Sequence, residues 1–364
     1  MGSSEVKVAI ILGTRPEIIK MSPIIGECST RKLDYFILHT NQHYSESLDR
    51  VFFDELELPN PRYNLRVGSG THAKQIGKML VGIEEILIRE EPDVVLVEGD
   101  TNTVLAGALV ASRLHITIGH VEAGLRSYCR EMPEEVNRVL VDHCSDLLFA
   151  PTMRAGSILL GEGISRDKTF VTGNTIVDAV YRNLGLAQRR SHILEELGLE
   201  KEGYLLATAH REENVDKKER LEGILGGLRL VCDKLNLPMI FPTHPRTKKM
   251  IGEYNIEVPA EVRLIDPVGY LDFLQLEANA VLVLTDSGGI QEEACILKIP
   301  CITLRDNTER PETLEVGSNL LAGAVPRRIL RAARAMLEVD RGWENPFGGR
   351  GAGRRIIDVV IKNS

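Results

Sequence analysis

The segment Leu284 to Cys295, LTDSGGIQEEAC, sets a serine and two glycines directly before two glutamates. If Ser287 caps a helix that starts here, Gly288 and Gly289 leave its first backbone N–H groups uncovered, and the helix dipole adds positive potential. That end is a seat for a phosphate. Glu293 follows Gly289 by four residues, so it lies on the same helix face about 6 Å farther along. Helical side chains lean back toward the N-terminus, which lets Glu293 reach past a diphosphate to a neighbouring diol. A ribose held through two hydroxyls on one carboxylate fits this spacing, and the ligand implied is a nucleoside diphosphate. Glu292 points about 100° away and is read as structural.

Other residues with chemical capacity also stand directly after apolar runs. VAIIL ends in Gly13-Thr14-Arg15-Pro16-Glu17, with Lys20 one turn later. Pro16 suits a first helical turn. Arg15 at that helix start is either an anion clamp, by its fork of donors, or a surface charge. The lone glycine excludes a G-x-G-x-x-G dinucleotide fingerprint. PDVVLVEGD ends at Asp100, where Asp100 or Thr101 caps the next helix, or Asp100 is an active carboxylate. ITIGHVEAGLR brings His120, Glu122 and Arg126 together. A glutamate among valine and small residues is poorly solvated, which suits it to proton transfer, unless it forms a structural ion pair with Arg126. In MPEEVNR, Pro133, Glu134 and Glu135 are explained by an ordinary helix start. YLLATAH ends at His210, and MIFPTH ends at His244 with Arg246, Lys248 and Lys249 close by. Two histidines that each end a strand in the same half of the chain favour a ligand role for at least one. GSGTHAKQIGK lacks the G-x-x-x-x-G-K-[ST] spacing and reads as a surface loop and helix start.

The elements that must hold these residues are short apolar runs alternating with amphipathic stretches. VKVAIIL, YFILH, VVLV, ITIGHV, LLFA and TFVT fill the first half; YLLAT, PMIFPTH, VRLI, AVLVLT and CITL fill the second. Most lack polar/apolar alternation, as expected of parallel strands covered on both faces. Helical patterns such as HAKQIGKMLVGIEEILIREE lie between them. The class is α/β, with two doubly wound, Rossmann-like domains dividing near Gly173. In such sheets ligands bind beyond the carboxyl ends of the strands, so two facing sheets would place the active site in the interdomain cleft.

The chain has 364 residues, more than one core usually serves. Its net charge of −8, from 44 Lys and Arg against 52 Asp and Glu, argues against nucleic acid or an anionic membrane as a partner for the whole surface. The six cysteines show no metal-like spacing and read as reduced, mostly buried residues of a cytoplasmic protein. No signal peptide or membrane-spanning run is expected. MGSS at the start reads as the remnant of an expression tag and is left out of the fold argument.

Taken together, GTRPEIIK, TNQHYSESL, PDVVLVEGDTNT, GHVEAGLR, MPEEVNR, TGNTIVDA, HPRTKK, LTDSGGIQEEA and RDNTERPE resemble the non-hydrolysing UDP-N-acetylglucosamine 2-epimerase family. They run from Gly13 to Pro311 in the family's order, and it is the ordered set that is specific. The resemblance implies a GT-B-type architecture: an N-terminal Rossmann-like domain over 1–172, joined by a C-terminal helix over 350–364, and a C-terminal UDP-binding domain over 173–349. It implies interconversion of UDP-GlcNAc and UDP-ManNAc with neither NAD nor a metal, through elimination of UDP to an enzyme-bound 2-acetamidoglucal and re-addition. Asp100, Glu122 and Glu134 would be the proton-transfer or cation-stabilising carboxylates. His210 would stand near the diphosphate and sugar, with Arg15 and Lys20 assisting the leaving group. Ser287, Gly288, Gly289 and Arg310 would hold phosphate and Glu293 the ribose, with His244 in the same substrate-binding set. Gln42 and His43 match an activator site for a second UDP-GlcNAc, and a homodimer is the family expectation. One departure is NPFGGRGAGRR in the tail, with Gly349 where the family usually carries an acid.

Two rivals share this architecture: a GT-B glycosyltransferase using a UDP-sugar, and a hydrolysing epimerase that releases ManNAc. A non-catalytic nucleotide-sugar sensor would have no use for Asp100, Glu122 and Glu134 together.

Overall fold

In the computed structural model, which describes residues 6–41 and 52–363, the chain forms two compact units. One comprises Met1–Ala179 with Phe347–Ser364, the other Val180–Pro346. The sequence reading put the boundaries at 172/173 and 349/350; the two units divide at 179/180 and 346/347.

The first unit is built on seven parallel strands: β1 (Lys7–Leu12), β2 (Asp34–His39), β3 (Tyr63–Asn64), β4 (Val94–Glu98), β5 (Thr117–Val121), β6 (Leu147–Ala150) and β7 (Thr169–Val171). Their order is β3-β2-β1-β4-β5-β6-β7. Helices cover both faces, which is why β1 reads as an unbroken apolar run: Val8 through Leu12 are each no more than 1% exposed. The helix Ala352–Asn363 belongs to this unit. It packs closely on the helix Arg15–Arg31, where a Cβ on Gly353 would lie 3.0 Å from Pro23. Asp178 accepts the N–H groups of Gly351 (2.5 Å) and Gly353 (3.0 Å), and Arg355 donates to the Thr172 carbonyl at 2.8 Å. Gly349 has open space around its Cα; the tail is held by Asp178 and Arg355 instead.

The second unit holds six parallel strands: β8 (Leu205–Thr208), β9 (Met239–Pro242), β10 (Val262–Ile265), β11 (Val283–Thr285), β12 (Cys301–Thr303) and β13 (Asn319–Leu321), in the order β10-β9-β8-β11-β12-β13. Its amphipathic helix Pro326–Leu337 buries Ile329, Ala332, Ala333 and Met336, the spacing of one helical face. Gly227 lets the helix Lys218–Leu235 approach it, since a Cβ there would stand 2.5 Å from Ile329.

Each unit is thus Rossmann-like and doubly wound, the pair of domains expected of a GT-B chain. Two strands escaped the sequence reading, β3 and β13. Both are sheet edges of two or three residues, too short to make an apolar run. Among the described residues no helix is long and apolar enough to cross a membrane. All six cysteines are free thiols; Cys28, Cys232, Cys295 and Cys301 are buried, Cys144 is half-buried and Cys129 exposed.

Candidate functional site

In each sheet the strand order turns back at one place, between β1 and β4 in the first unit and between β8 and β11 in the second. The carboxyl ends of strands at such a switch point open a crevice for ligands. Several of the residues singled out in the sequence follow strands of these two sheets at their carboxyl ends.

In the first unit, Gly13 follows β1 in a turn with no room for a side chain: a Cβ would stand 2.1 Å from Thr40 Oγ1 and 2.3 Å from Thr103 Oγ1. The helix Arg15–Arg31 then begins. Glu17 Oε2 accepts the N–H groups of Gly13 (2.6 Å) and Thr14 (2.7 Å), and its Oε1 accepts from the Thr101 hydroxyl. Burial outweighs these hydrogen bonds and pushes the Glu17 carboxyl up to about 7. Arg15 lies at the helix start with its guanidinium 5.6 Å from the centre of the Phe52 ring. One turn later, the buried Lys20 ammonium pairs with Glu122 and lies 3.4 Å from Glu98 Oε1.

Glu122 follows β5 with φ of 66°, the left-handed region that a side chain enters only under constraint. The constraint is visible. His120 is wedged between Asp142 Oδ1 (2.7 Å from Nδ1) and the Gly99 carbonyl (2.8 Å from Nε2). Asp142 also accepts the Gly124 N–H at 3.2 Å and pairs with Arg126 at 2.7 Å. Desolvation of Asp142 is outweighed by His120 and Arg126, which hold its carboxyl below the usual range. Arg126 is further tied to Glu162 at 2.6 Å. The structural pair considered for Glu122 and Arg126 is therefore replaced: Arg126 serves Asp142 and Glu162, and Glu122 serves Lys20.

Asp100 is freed from capping because Thr101 takes the N-cap position, its hydroxyl accepting the Val104 N–H at 3.4 Å. The Asp100 carboxylate, 30% exposed, pairs with Arg138. Arg138 also meets Glu135 at 3.1 Å. Glu135 accepts from Ser127 and Tyr128; these bonds outweigh its desolvation and lower its pKa. Glu134, one residue earlier in the helix Pro133–Cys144, is exposed. So Lys20, Glu122 and Glu98 are in contact, Asp100 joins the Arg138–Glu135 pair, and Glu134 stands apart in solvent.

In the second unit, Asp286 follows β11 and ties down the end of β8. Its carboxylate accepts the backbone N–H groups of His210 and Arg211 at 3.0 Å and the Asn214 amide at 3.0 Å. His210 Nδ1 lies 3.1 Å from Asp286 Oδ1, and the ring is 41% exposed. Burial of Asp286 is outweighed by these partners, His210 foremost, and its pKa is lowered. The His244 ring lies 5.9 Å from that of His210. His244 caps the helix Pro245–Glu253, its Nδ1 accepting the Arg246 N–H at 3.2 Å. That bond leaves the other ring nitrogen as the donor, and burial, followed by the nearby His210 and Arg246 charges, lowers its pKa.

Ser287 occupies the N-cap position of the helix Gly288–Leu297, but its side chain makes no capping bond; its own N–H donates to Thr285 Oγ1 at 3.0 Å. The space over the glycines is open. A Cβ on Gly288 would meet nothing nearer than Glu309 Oε2 at 4.0 Å, and one on Gly289 nothing nearer than Ser287 Oγ at 3.9 Å. Uncovered N–H groups at a helix start are an anion seat. Glu293 is buried and its Oε1 accepts the Tyr270 hydroxyl at 2.8 Å. Beneath it Glu277 is fully buried with no hydrogen bond to either oxygen; desolvation, then the neighbouring Glu293, raises its pKa well above the carboxylate range. Arg310 pairs with the buried Glu292 at 2.7 Å, which gives Glu292 the structural place expected of it and ties the expected phosphate-binding arginine to a carboxylate. Gln42 and His43 lie outside the described residues.

Residues 27–361 match the family model described as UDP-N-acetylglucosamine 2-epimerase. The chain belongs to the UDP-N-acetylglucosamine 2-epimerase family. It is 56% identical to the UDP-N-acetylglucosamine 2-epimerase of Methanocaldococcus jannaschii, over 97% of this chain and 98% of that one. The crystal structure of Methanocaldococcus jannaschii UDP-GlcNAc 2-epimerase in complex with UDP-GlcNAc and UDP superposes with a TM-score of 0.90, at 56% identity, covering 98% of this chain and 100% of that one. A UDP-2,3-diacetamido-2,3-dideoxy-D-glucuronate 2-epimerase of Pseudomonas aeruginosa is 41% identical over 98% of this chain and 99% of that one. The sequence reading passed over Glu17, Glu98, Asp286 and Tyr270, which the structure places in contact with or facing the candidate residues. Glu98 carried a signal: it closes VVLVE, a charge ending an otherwise apolar run. Asp286 stood inside the quoted LTDSGG and was overlooked beside the glycines.

Proposed function

We propose that the protein interconverts UDP-GlcNAc and UDP-ManNAc by eliminating UDP and adding it back, without releasing the sugar. The observation that carries this reading is the buried Lys20–Glu122 pair at a strained strand end, in a chain 56% identical to an enzyme named for 2-epimerisation of this nucleotide sugar. The C2 proton of the substrate is not next to a carbonyl and is scarcely acidic. It leaves as the glycosidic bond breaks and positive charge grows at C1. A base takes the proton, the C–H electron pair becomes the C1=C2 bond, and the C1–O pair departs with UDP. Reprotonation of C2 on the opposite face and return of the UDP oxygen to C1 complete the epimer. The sequence is redox-neutral and needs no hydride carrier.

Such a reaction requires proton-transfer groups and a leaving-group cradle. We assign Asp100, Glu122 and Glu134 to the first role, with Lys20 and Arg15 assisting departure of UDP. Ser287, Gly288, Gly289 and Arg310 are assigned to phosphate, Glu293 to ribose, and His210 and His244 to the diphosphate and sugar. Incubation with UDP-GlcNAc in D2O, followed by NMR, is expected to yield UDP-ManNAc carrying deuterium at C2. No epimer and no label would overturn the reading. Free ManNAc with UDP would establish the hydrolysing route, and product formed only with an added acceptor a glycosyltransferase. UDP-2,3-diacetamido-2,3-dideoxyglucuronate, offered in competition, is expected to be turned over more slowly than UDP-GlcNAc.

A further inference from the structure

One buried histidine beside the assigned carboxylates has a charge state that its neighbours dictate. His120 lies on β5 and is 1% exposed. Its Nδ1 stands 2.7 Å from Asp142 Oδ1, and its Nε2 stands 2.8 Å from the Gly99 carbonyl oxygen. A carbonyl oxygen only accepts, so Nε2 carries a proton. Asp142, while ionised, only accepts as well. Its other oxygen takes the Gly124 N–H at 3.2 Å and meets Arg126 at 2.7 Å, and its desolvation is outweighed, so that its pKa is lowered. Nδ1 therefore donates too. An imidazole that donates from both nitrogens is the imidazolium; a neutral ring would set a bare nitrogen against one of two buried oxygens. The charges around the ring agree. Asp142 and Glu162 are two carboxylates on one guanidinium, that of Arg126, which lies 2.6 Å from Glu162. The exposed His143 ring stands 3.8 Å from Glu162. A charged His120 balances the second carboxylate.

We propose that His120 is a buried imidazolium and a positioning residue for the reaction: its two N–H groups fasten together the strand ends that carry Asp100 and Glu122. One N–H holds the carbonyl of Gly99, the residue before Asp100. The other holds Asp142, whose second oxygen fixes the Gly124 N–H two residues after Glu122. The β4–β5 pairing ends with Glu98 beside Val121. Beyond it the two turns are tied by the Gly99 N–H on the Val121 carbonyl at 3.1 Å and by this ring. Glu122 has a φ of 66°, a conformation that persists only where its surroundings enforce it. A neutral side chain with a single donor serves one of the two acceptors and leaves the other bare. The inference rests on the roles assigned above to Asp100 and Glu122.

The test uses the full-length protein with nitrogen-15 in its histidine rings. NMR about one pH unit above the ordinary imidazole value is expected to show one ring with protons on both nitrogens, protected from exchange with solvent. His39 is equally buried, but burial lowers its pKa to about 4, so it supplies the neutral contrast. His120→Gln is expected to lack the doubly protonated ring. Its kcat should fall about tenfold with KM within about twofold, a smaller loss than the roughly 10²–10⁴ of removing a general acid or base. Its affinity for UDP, measured by calorimetry, should not change, because the phosphate seat assigned above belongs to the second unit. Asp142→Asn removes the ring's counter-charge and keeps the side chain's shape; it carries the same kinetic expectation if the glutamine variant does not fold. A wild-type spectrum with no protected, doubly protonated ring overturns the proposal. So does an undiminished kcat in a folded variant. An equal loss of kcat and UDP affinity also overturns it and marks a merely structural residue. If the wild type does not epimerise at all, the assigned function fails by itself, and the NMR spectrum still decides the charge on His120.

Discussion

Glu122 occupies a backbone conformation that glycine would adopt without steric cost, so substitution there can separate strain from charge. Its φ is 66°, and the left-handed region costs an L-residue about 1–2 kcal/mol. Glycine instead gives up about 0.5–1 kcal/mol relative to alanine through the freedom of its unfolded chain. Glu122→Ala and Glu122→Gly both remove the carboxylate facing Lys20, so loss of the ion pair cancels between them. Glu122→Gly is then expected to be the more stable by roughly 0.5–1 kcal/mol, the reverse of the usual order. Both should be spared the full 3–5 kcal/mol of breaking a buried pair, because Glu98 lies 3.4 Å from the ammonium and inherits it. Urea unfolding followed by far-UV circular dichroism measures both effects, with midpoints compared at a common slope. An alanine variant as stable as the glycine one would refute the strain argument. A loss above about 3 kcal/mol in both would refute Glu98 as a second seat for Lys20. Turnover is expected to fall by 10²–10⁴ in either variant.

Gly289→Ala is expected to stabilise the protein slightly, by about 0.5 kcal/mol from helix propensity, since the added methyl meets only Ser287 Oγ at 3.9 Å. The same methyl covers the helix start, so calorimetry should find UDP bound roughly tenfold more weakly, about 1.4 kcal/mol; unchanged affinity would remove the cradle from the site. For Glu17, a folded pKa raised from 4.5 to about 7 means that its contribution to stability is complete below about pH 4.5, declines as pH rises, and is gone above about 7. Relative to Glu17→Gln, the wild type should lose about 3 kcal/mol over that interval, read from urea midpoints at both ends; a constant difference would show that burial does not hold the proton. Asp178→Ala strips two N–H groups, of Gly351 and Gly353, of their acceptor, which should cost about 1–3 kcal/mol and speed amide exchange in the helix Ala352–Asn363.

The parallel strands were legible because strands covered on both faces must be apolar throughout, and VAIIL, VVLV and LLFA have no polar alternative. The candidate site was legible where residues with chemical capacity follow a strand end, as at Arg15, Asp100, Glu122, His210 and Ser287, because open α/β sheets put ligands at such ends. Partnerships were not. Lys20 and Glu122 are a hundred residues apart in sequence, and only the β1-β4-β5 adjacency brings them together. Arg126 looked like Glu122's partner by proximity in sequence, but the left-handed turn at Glu122 sends the two side chains to different neighbours. Arg310 and Glu292 are likewise matched only by folding.

The first unit concentrates buried carboxylates where stability alone would place none. Glu98 and Glu122 both lie against the buried Lys20, and the buried Glu17 faces Glu98; apolar residues of similar volume would commonly be as stable as such ion pairs, or more so. Glu122 adds strain, and Asp142, Arg126 and His120 are committed to holding its turn in shape. Packing does not call for this arrangement, since the same sheet is sealed elsewhere by valine and leucine. The proton transfer proposed above would. In the reaction proposed above, a C2 proton that becomes acidic only as the glycosidic bond breaks calls for a base whose strength changes little with solvent. A buried glutamate paired with a buried lysine at the carboxyl end of a parallel sheet meets that requirement.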